Sequence, residues 1–511
     1  MHVVVIGSGP SGVAAAHALL ARGVEVTVVD GGEVLEPHRA AQVDALRAIA
    51  PPWTTQQLDG LRGNLSASRR GIAQKRAFGS DFVYRGVDFI RAGADIHWSA
   101  SHATGGLSHV WGAAVLPWAE ADLAGWPITR AALFDREASL REIVPMIGAQ
   151  DDLDAQHPWA VAPDAALPLS RPMRQLLGHW QDNRAHLQHN GWRFGSARLA
   201  VDLKTCVRCG LCLHGCPRGS IWTASAVLQR WVREGRVRHL PGLQVQVLRQ
   251  HDDAIEVQAL DRRSGEPVQL TADRVFLAAG TLASAWILAR TFGRAHTRLL
   301  TSQYFLAPFL PEQAARGALA EAELTLAQAF LQVTPDGSQH AANLQFYGPN
   351  DVHEAAIART WGPLARLLRP VTTRAADRLL SLQGYLHSAD SPGIDARLVD
   401  GQLQLAAVAH AGSARLVEAL CRQLHRDRAA LGGRLLRPLL RVGAAGEGAH
   451  VGGGWPMAAQ PEAGQTDVLG RPPGWPRLHV VDASVLPSVA AATFTWTAMN
   501  NAARIAHEAP L

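Results

Sequence analysis

The chain has 511 residues, 47% hydrophobic and 18% charged, which is enough for two hydrophobic cores and ordinary for a globular protein. The formal net charge of +5 is small for this length, lysine is confined to Lys75 and Lys204, and no basic run stands out, so nucleic acid is not expected as a partner. No apolar stretch reaches the roughly 18 residues of a membrane-spanning helix, and Met1 to Ile6 runs into glycine without the pattern of a secretory signal, so a cytoplasmic location is expected.

In chain order, His2 to Asp30 reads as a β-branched strand, a glycine turn, an alanine-rich helix and a second apolar strand ending in acid. Gly7, Gly9 and Gly12 form G-x-G-x-x-G between strand and helix, the context that makes this pattern a dinucleotide fingerprint. Gly7 permits the tight turn, Gly9 lets the backbone approach a pyrophosphate, and Gly12 lets the helix pack on the strand. Asp30, at the end of the second strand, is placed to accept ribose hydroxyls. A helix is expected over Pro37 to Ala50. Residues 101–118, rich in Gly and small side chains, read as a loop whose backbone approaches a ligand.

Cys206, Cys209, Cys212 and Cys216, followed by Pro217, hold four of the five cysteines in eleven residues. The spacing C-x2-C-x2-C-x3-C-P is that of bacterial ferredoxin ligands and predicts an iron–sulfur cluster, 4Fe-4S or 3Fe-4S. The fourth ligand is open between Cys216 and the distant Cys421; zinc and a metal-free loop are the alternatives. Beyond this segment, 237–250 and 254–260 suggest β-hairpin strands, and 274–290 is again strand, glycine turn and helix, with Gly280 at the turn. Residues 300–445 mix alternating segments with amphipathic helices and read as an inserted domain on an antiparallel sheet.

GSGPSG at the start, TGGLSHVWG, LAAGTLAS, and the closing HVGGGWPM, TDVLGR, LHVVDASVLPS and TAMNNAARIA resemble, in this order, the glucose-methanol-choline (GMC) flavoprotein oxidoreductase family, here a bacterial member with a ferredoxin-like cysteine motif. The resemblance fades over residues 130–195 and 300–440. It implies an α/β fold, a Rossmann-like FAD-binding domain with an inserted substrate domain on an antiparallel sheet. The expected division is 1–130, 200–300 and 446–511 for the FAD domain, 131–199 for a cap, and 301–445 for the substrate domain. By resemblance Gly105, Gly106 and Ser108 line the cofactor, Asp482 lies near its ribityl and pyrophosphate, and His450 faces the flavin as general base. Thr493 stands where many members place a second histidine or an asparagine, so His450 is expected to act alone on the proton. His109 lies one position before the site where some relatives attach flavin covalently, and a non-covalent role is expected.

The expected activity is oxidation of an alcohol carbon, with a sugar or glycoside preferred because Trp111, Trp455 and Trp496 fall in motifs near the flavin. A cluster implies a protein or quinone acceptor. The rivals are an oxidase forming peroxide, a flavoenzyme doing non-alcohol chemistry, and a non-catalytic relay subunit. The arginine-rich stretch 358–382, with Arg359, Arg366, Arg369, Arg374 and Arg378, reads as a solvated helix pair or a peripheral membrane face reaching a lipid-linked substrate.

Overall fold

The computed structural model describes every residue except 63–74, 314, 316, 320, 322–323, 353 and 355–368. At its centre is a parallel sheet of β1 (His2–Ile6), β2 (Glu25–Asp30), β3 (Arg238–Pro241), β4 (Arg274–Leu277) and β5 (Leu478–Val480), ordered β5-β4-β1-β2-β3. Covered on both faces, these strands are near-continuous apolar runs such as HVVVI. Helix α1 (Pro10–Ala21) starts with proline in its first turn, where a missing N–H costs nothing. It packs against the C-terminal helix α3 (Thr495–Glu508), and alanines on both, Ala14, Ala15, Ala18, Ala498, Ala502 and Ala506 among them, are buried in the common core. Helix α2 (Thr281–Phe292) follows β4. The sheet is thus assembled from chain ends and middle, as a discontinuous FAD-type domain requires.

Arg238–Pro241 departs from the hairpin expectation. It pairs with β2 in parallel, and the chain then turns at Gly242 (φ +85°) into an antiparallel layer of Leu243–Gln250, Ile255–Asp261 and Pro267–Ala272. The pairing of so short a strand is decided by a partner two hundred residues away, which local patterning does not reveal.

A seven-stranded antiparallel sheet carries the inserted domain. It runs Gly433–Leu435, Tyr304–Pro311, Leu380–Tyr385, Ala342–Tyr347, Ala327–Val333 and Arg193–Ser196, with Arg441–Val442 also on Tyr304–Pro311. Its outer core gathers Met173, Leu176 and Trp180 of helix Arg171–Asp182 with Leu416, Leu420 and Leu424 of helix Ser413–Arg426. A further sheet joins Gly393–Val399 and Gln402–Val408 to His296–Thr301, Val451–Gly452 and Ile90–Ala92, drawing four expected segments together.

Among the described residues no helix is long and apolar enough to cross a membrane. Of the arginine-rich stretch, residues 355–368, including Arg359 and Arg366, lie outside the described residues. Arg369–Arg378 is helical, and its Asp377 accepts the backbone N–H groups of Gly317 and Leu319.

Gly384 lies opposite Phe305 in the antiparallel register, and a Cβ there would sit 2.0 Å from the Phe305 ring. The ring covers the bare backbone and fills the place of a side chain. Gly384→Ala is expected to destabilise the protein by about 1–3 kcal/mol through overpacking, and by less in a Phe305→Leu background, as thermal melting of the four proteins in this double-mutant cycle will measure.

Candidate active site

The main cleft runs along the carboxyl ends of the parallel strands, where open α/β sheets bind ligands. One end is formed by Asp30, Gly31, His102 and Leu243 to Val245. The middle holds Gly7 to Ser11, Gly106, Leu107 and Ala278 to Ala283, and the far end Ala449, Val451, Asp482 and Phe494.

The three fingerprint glycines separate by cause. A Cβ on Gly7 (φ +103°) would meet the Ala278 carbonyl oxygen at 2.3 Å, and one on Gly12 would meet the Gly7 carbonyl oxygen at 1.9 Å. Both are demanded by the protein's own packing. A Cβ on Gly9 would meet nothing within 4 Å, so the protein leaves a space there that it does not fill. Gly9 caps α1 without any side-chain cap, so the first-turn amides and the positive end of the helix dipole face that space. Such a cradle suits a pyrophosphate, and the donor set fits FAD.

Around the cradle, Gly106 lies against Gly9, and the Gly105 N–H donates to Ser8 Oγ (2.8 Å). Ser108 braces this loop, its hydroxyl donating to the Gly105 carbonyl (2.6 Å) and accepting from the Ala224 N–H (3.1 Å). The His109 ring bonds the Thr104 carbonyl through Nε2 (2.8 Å), packs edge-on against Phe82, and is absent from the cleft lining. Gly280 has φ +85° where the chain enters α2.

Both predicted carboxylates line the cleft and both are largely satisfied by protein. Asp30 Oδ1 accepts from the Gly32 N–H (3.0 Å) and Thr104 Oγ1 (3.4 Å) and lies 3.2 Å from His239 Nε2; Ser8 Oγ donates to Oδ2. Asp482 Oδ2 accepts from the Gly280 N–H (2.8 Å) and Ser284 Oγ (2.5 Å), and Oδ1 from the Ser484 N–H (2.9 Å). Burial raises the Asp482 carboxyl above its ordinary range against these bonds.

His450 sits between the two domains, held by its backbone carbonyl, which accepts the Ser302 N–H (3.3 Å). The imidazole stacks on Tyr385 (centroids 4.5 Å apart, planes 19°) and meets Phe494 edge-on at 5.2 Å. Its Nδ1 is enclosed without a hydrogen-bond partner, although the residue as a whole is only half-buried. Burial takes its pKa down to about 4, so the ring is a neutral base at physiological pH. Neither His450 nor Thr493 is among the residues lining the cleft, although Ala449, Val451 and Phe494 beside them are. The Thr493 hydroxyl oxygen accepts the Leu116 N–H (3.1 Å), and its carbonyl the Trp118 indole N–H (3.2 Å).

Tyrosines escaped the sequence reading. Of only four in the chain, Tyr304 and Tyr385 pair across adjacent strands with rings 5.3 Å apart, and Tyr347 is close enough to both to raise their pKa values. Burial holds all three phenols protonated, well above the ordinary range. Their scarcity was the one available signal. The tryptophans turn inward instead. Trp496 is fully buried, Trp455 packs on Phe292, and Trp111 bonds the Trp222 carbonyl (3.0 Å), so none lines the cleft.

Cys206, Cys209, Cys212 and Cys216 are near enough to influence one another electrostatically, and burial pushes the Cys212 thiol up to about 12 and raises Cys209. Cys216 Sγ accepts the Ser220 N–H (3.2 Å). Among the described residues, however, no three His, Cys, Asp or Glu side chains gather to hold a metal ion, so the sulfurs as arranged do not fit a cluster. Cys421 is buried in the leucine core under the seven-stranded sheet and is no partner for them.

With this geometry in place, comparison with known proteins is informative. The family model described as GMC oxidoreductase matches residues 386–502, and that of pyridine nucleotide-disulphide oxidoreductase matches residues 2–44. No curated protein sequence matches the chain. Among solved structures, pyridoxine 4-oxidase from Mesorbium loti superposes with a TM-score of 0.60 at 17% identity, covering 99% of this chain and 98% of its own. A variant of formate oxidase from Aspergillus oryzae RIB40, studied for FAD modification, gives 0.62 at 12% identity, covering 99% and 97%. The GMC oxidoreductase model thus covers the segment that holds His450, and the fold is shared from end to end with these two structures.

Proposed function

We propose that the protein oxidises a CH–OH carbon of a ring-borne alcohol, a sugar or glycoside or a hydroxymethyl arene, with His450 as the base. The observation that carries this reading is a neutral, enclosed imidazole beside the cleft, between Tyr385 and Phe494. Bound FAD supplies the hydride acceptor. His450 takes the hydroxyl proton, and its stack on Tyr385 sets the ring's direction. Tyr304 and Tyr347 pack behind Tyr385 and back the ring on which the imidazole is stacked. The name of the pyridoxine 4-oxidase neighbour supports including hydroxymethyl arenes.

For the acceptor, the names of the two neighbours support dioxygen, whereas the cysteine spacing supports an iron–sulfur relay to a protein or quinone. Because the thiols are not gathered as ligands, dioxygen is the first reading and no step is routed through a cluster. Peroxide formed in proportion to alcohol consumed, in protein free of iron and labile sulfide, is the expected result. Stoichiometric iron and sulfide with little peroxide would reverse the order.

Gly9→Val places a branched side chain in the open cradle without touching protein, so a folded but colourless protein is expected. Gly12→Val strikes the Gly7 carbonyl and is expected not to fold; absorbance at flavin wavelengths beside circular dichroism separates the two. His450→Gln is expected to retain flavin while slowing anaerobic flavin bleaching by an alcohol panel by roughly a hundredfold or more. Protonation removes the lone pair of the base, so the wild-type bleaching rate is expected to fall as pH drops through about 4 and to stay level above it, a limb the Gln variant lacks.

A further inference from the structure

The chain reaches and leaves His450 through glycine-rich turns, and four residues between Gly443 and Gly454 take a left-handed backbone: Gly446 (φ +79°), Ala449 (φ +57°), Gly453 (φ +70°) and Gly454 (φ +101°). At the three glycines, packing crowds out a side chain. A Cβ on Gly446 would meet the His97 carbonyl oxygen at 2.2 Å, one on Gly454 the Leu299 side chain at 2.9 Å, and one on Gly453 the Leu300 side chain at 3.0 Å. Ala449 alone of the four carries a methyl group, in a conformation that glycine adopts without steric cost.

The turn holds Ala449 in that conformation from both sides. Its N–H donates to the Gly446 carbonyl (3.0 Å), and the next residue, His450, accepts the Ser302 N–H. The preceding Gly448 lies against the tyrosines, where a Cβ would be 3.0 Å from the Tyr385 ring and 3.1 Å from Tyr304 Cβ. Strain of this kind persists only where something offsets it. The narrower unfolded ensemble of alanine is not enough, since at positive φ the strain exceeds that gain. Ala449 is exposed, and it lines the far end of the cleft beside Val451 and Phe494. The compensation therefore comes from what the cleft binds.

We propose that Ala449 is a cofactor-positioning residue, its methyl group packing against the isoalloxazine end of bound FAD. The proposal rests on the cleft being the FAD site. Along that cleft Asp30 is placed for a ribose and the space at Gly9 for the pyrophosphate, so the flavin ring is the part of the cofactor that reaches Ala449, one residue before the base. A methyl group fixed there by backbone bonds is a stop for the ring, and the strain it costs the empty protein is recovered when the ring covers it.

The test compares wild type with Ala449→Gly and Ala449→Ser. Glycine removes the methyl group and the strain together, and two measurements read them apart. Flavin-free Ala449→Gly is expected to melt at or above wild type, while its holoprotein on dilution releases FAD, followed by recovery of flavin fluorescence, about fourfold faster, the scale of one buried methyl group. Serine keeps the Cβ and is expected to release FAD at close to the wild-type rate. ADP, which carries the adenosine and both phosphates but no flavin, is expected to bind flavin-free wild type and the glycine variant alike. A glycine variant that holds FAD as firmly as wild type overturns the proposal. So does a flavin-free glycine variant that melts below wild type, which marks the methyl group as internal packing, and so does an equal loss of ADP affinity, which moves the contact to the other half of the cofactor. Wild type that takes up no FAD sinks the assignment of the cleft and the proposal with it, a result distinct from all of these.

Discussion

A carboxylate buried away from water must have its oxygens hydrogen-bonded, and Asp482 meets that requirement with groups drawn from distant parts of the chain. The Gly280 N–H and Ser284 Oγ reach it across 202 and 198 residues, and the Ser484 N–H closes the local turn. These bonds set the start of α2 against the end of β5. The segment before His450's neighbours is then fixed by backbone bonds from Gly453 to Ala483 and Trp455 to Ser484, and by Thr281 Oγ1 on the Val451 carbonyl (2.7 Å). A discontinuous domain is in this way closed at the wall of its own ligand cleft. The backbone on either side of His450 is in this way tied to the turns that surround Asp482.

What was legible in the sequence was local. Gly7, Gly9 and Gly12 stand within six positions, and steric demand between a turn and the helix it starts is decided there. Asp30 and Asp482 were found because each ends an apolar strand. Their bonding was not, since their partners come from other parts of the chain. Ser108 was read by resemblance as a cofactor contact, and in the structure its hydroxyl accepts the Ala224 N–H, a bond that no local pattern shows. Thr493 was read as standing where many members place a second histidine or an asparagine, and its oxygen is engaged by Leu116, a contact across 377 residues. The three tyrosines carry no motif. They become significant only when sheet pairing sets Tyr304 opposite Tyr385.

The cysteine run is the opposite case, a strong local pattern whose side chains do not gather as a ligand set among the described residues. Spacing specifies which residues are able to reach a common centre, but a ligand set also needs thiolates and converging sulfurs. Here, among the described residues, no three such side chains gather on a common centre, and Cys216 Sγ accepts the Ser220 N–H. The loop is anchored on protein contacts of its own, including His214 on Asp351 (3.0 Å).

The same contrast explains why resemblance fades over the inserted domain while the fold persists. The seven-stranded sheet asks only for apolar residues on buried positions and for gaps such as Gly384 beneath Phe305, and many sequences meet those conditions. The parallel sheet meets narrower ones, because a backbone carbonyl 1.9 Å from a would-be Cβ admits a single residue type at Gly12. Cofactor geometry is therefore written in backbone clearances that substitution cannot relax, and substrate geometry in side chains such as Tyr385 that rest on a tolerant frame. His450 belongs to both. Its backbone is pinned with the cofactor domain and its ring is stacked on the sheet, so a change of substrate wall acts on the base through a ring contact without disturbing the cradle that holds the flavin.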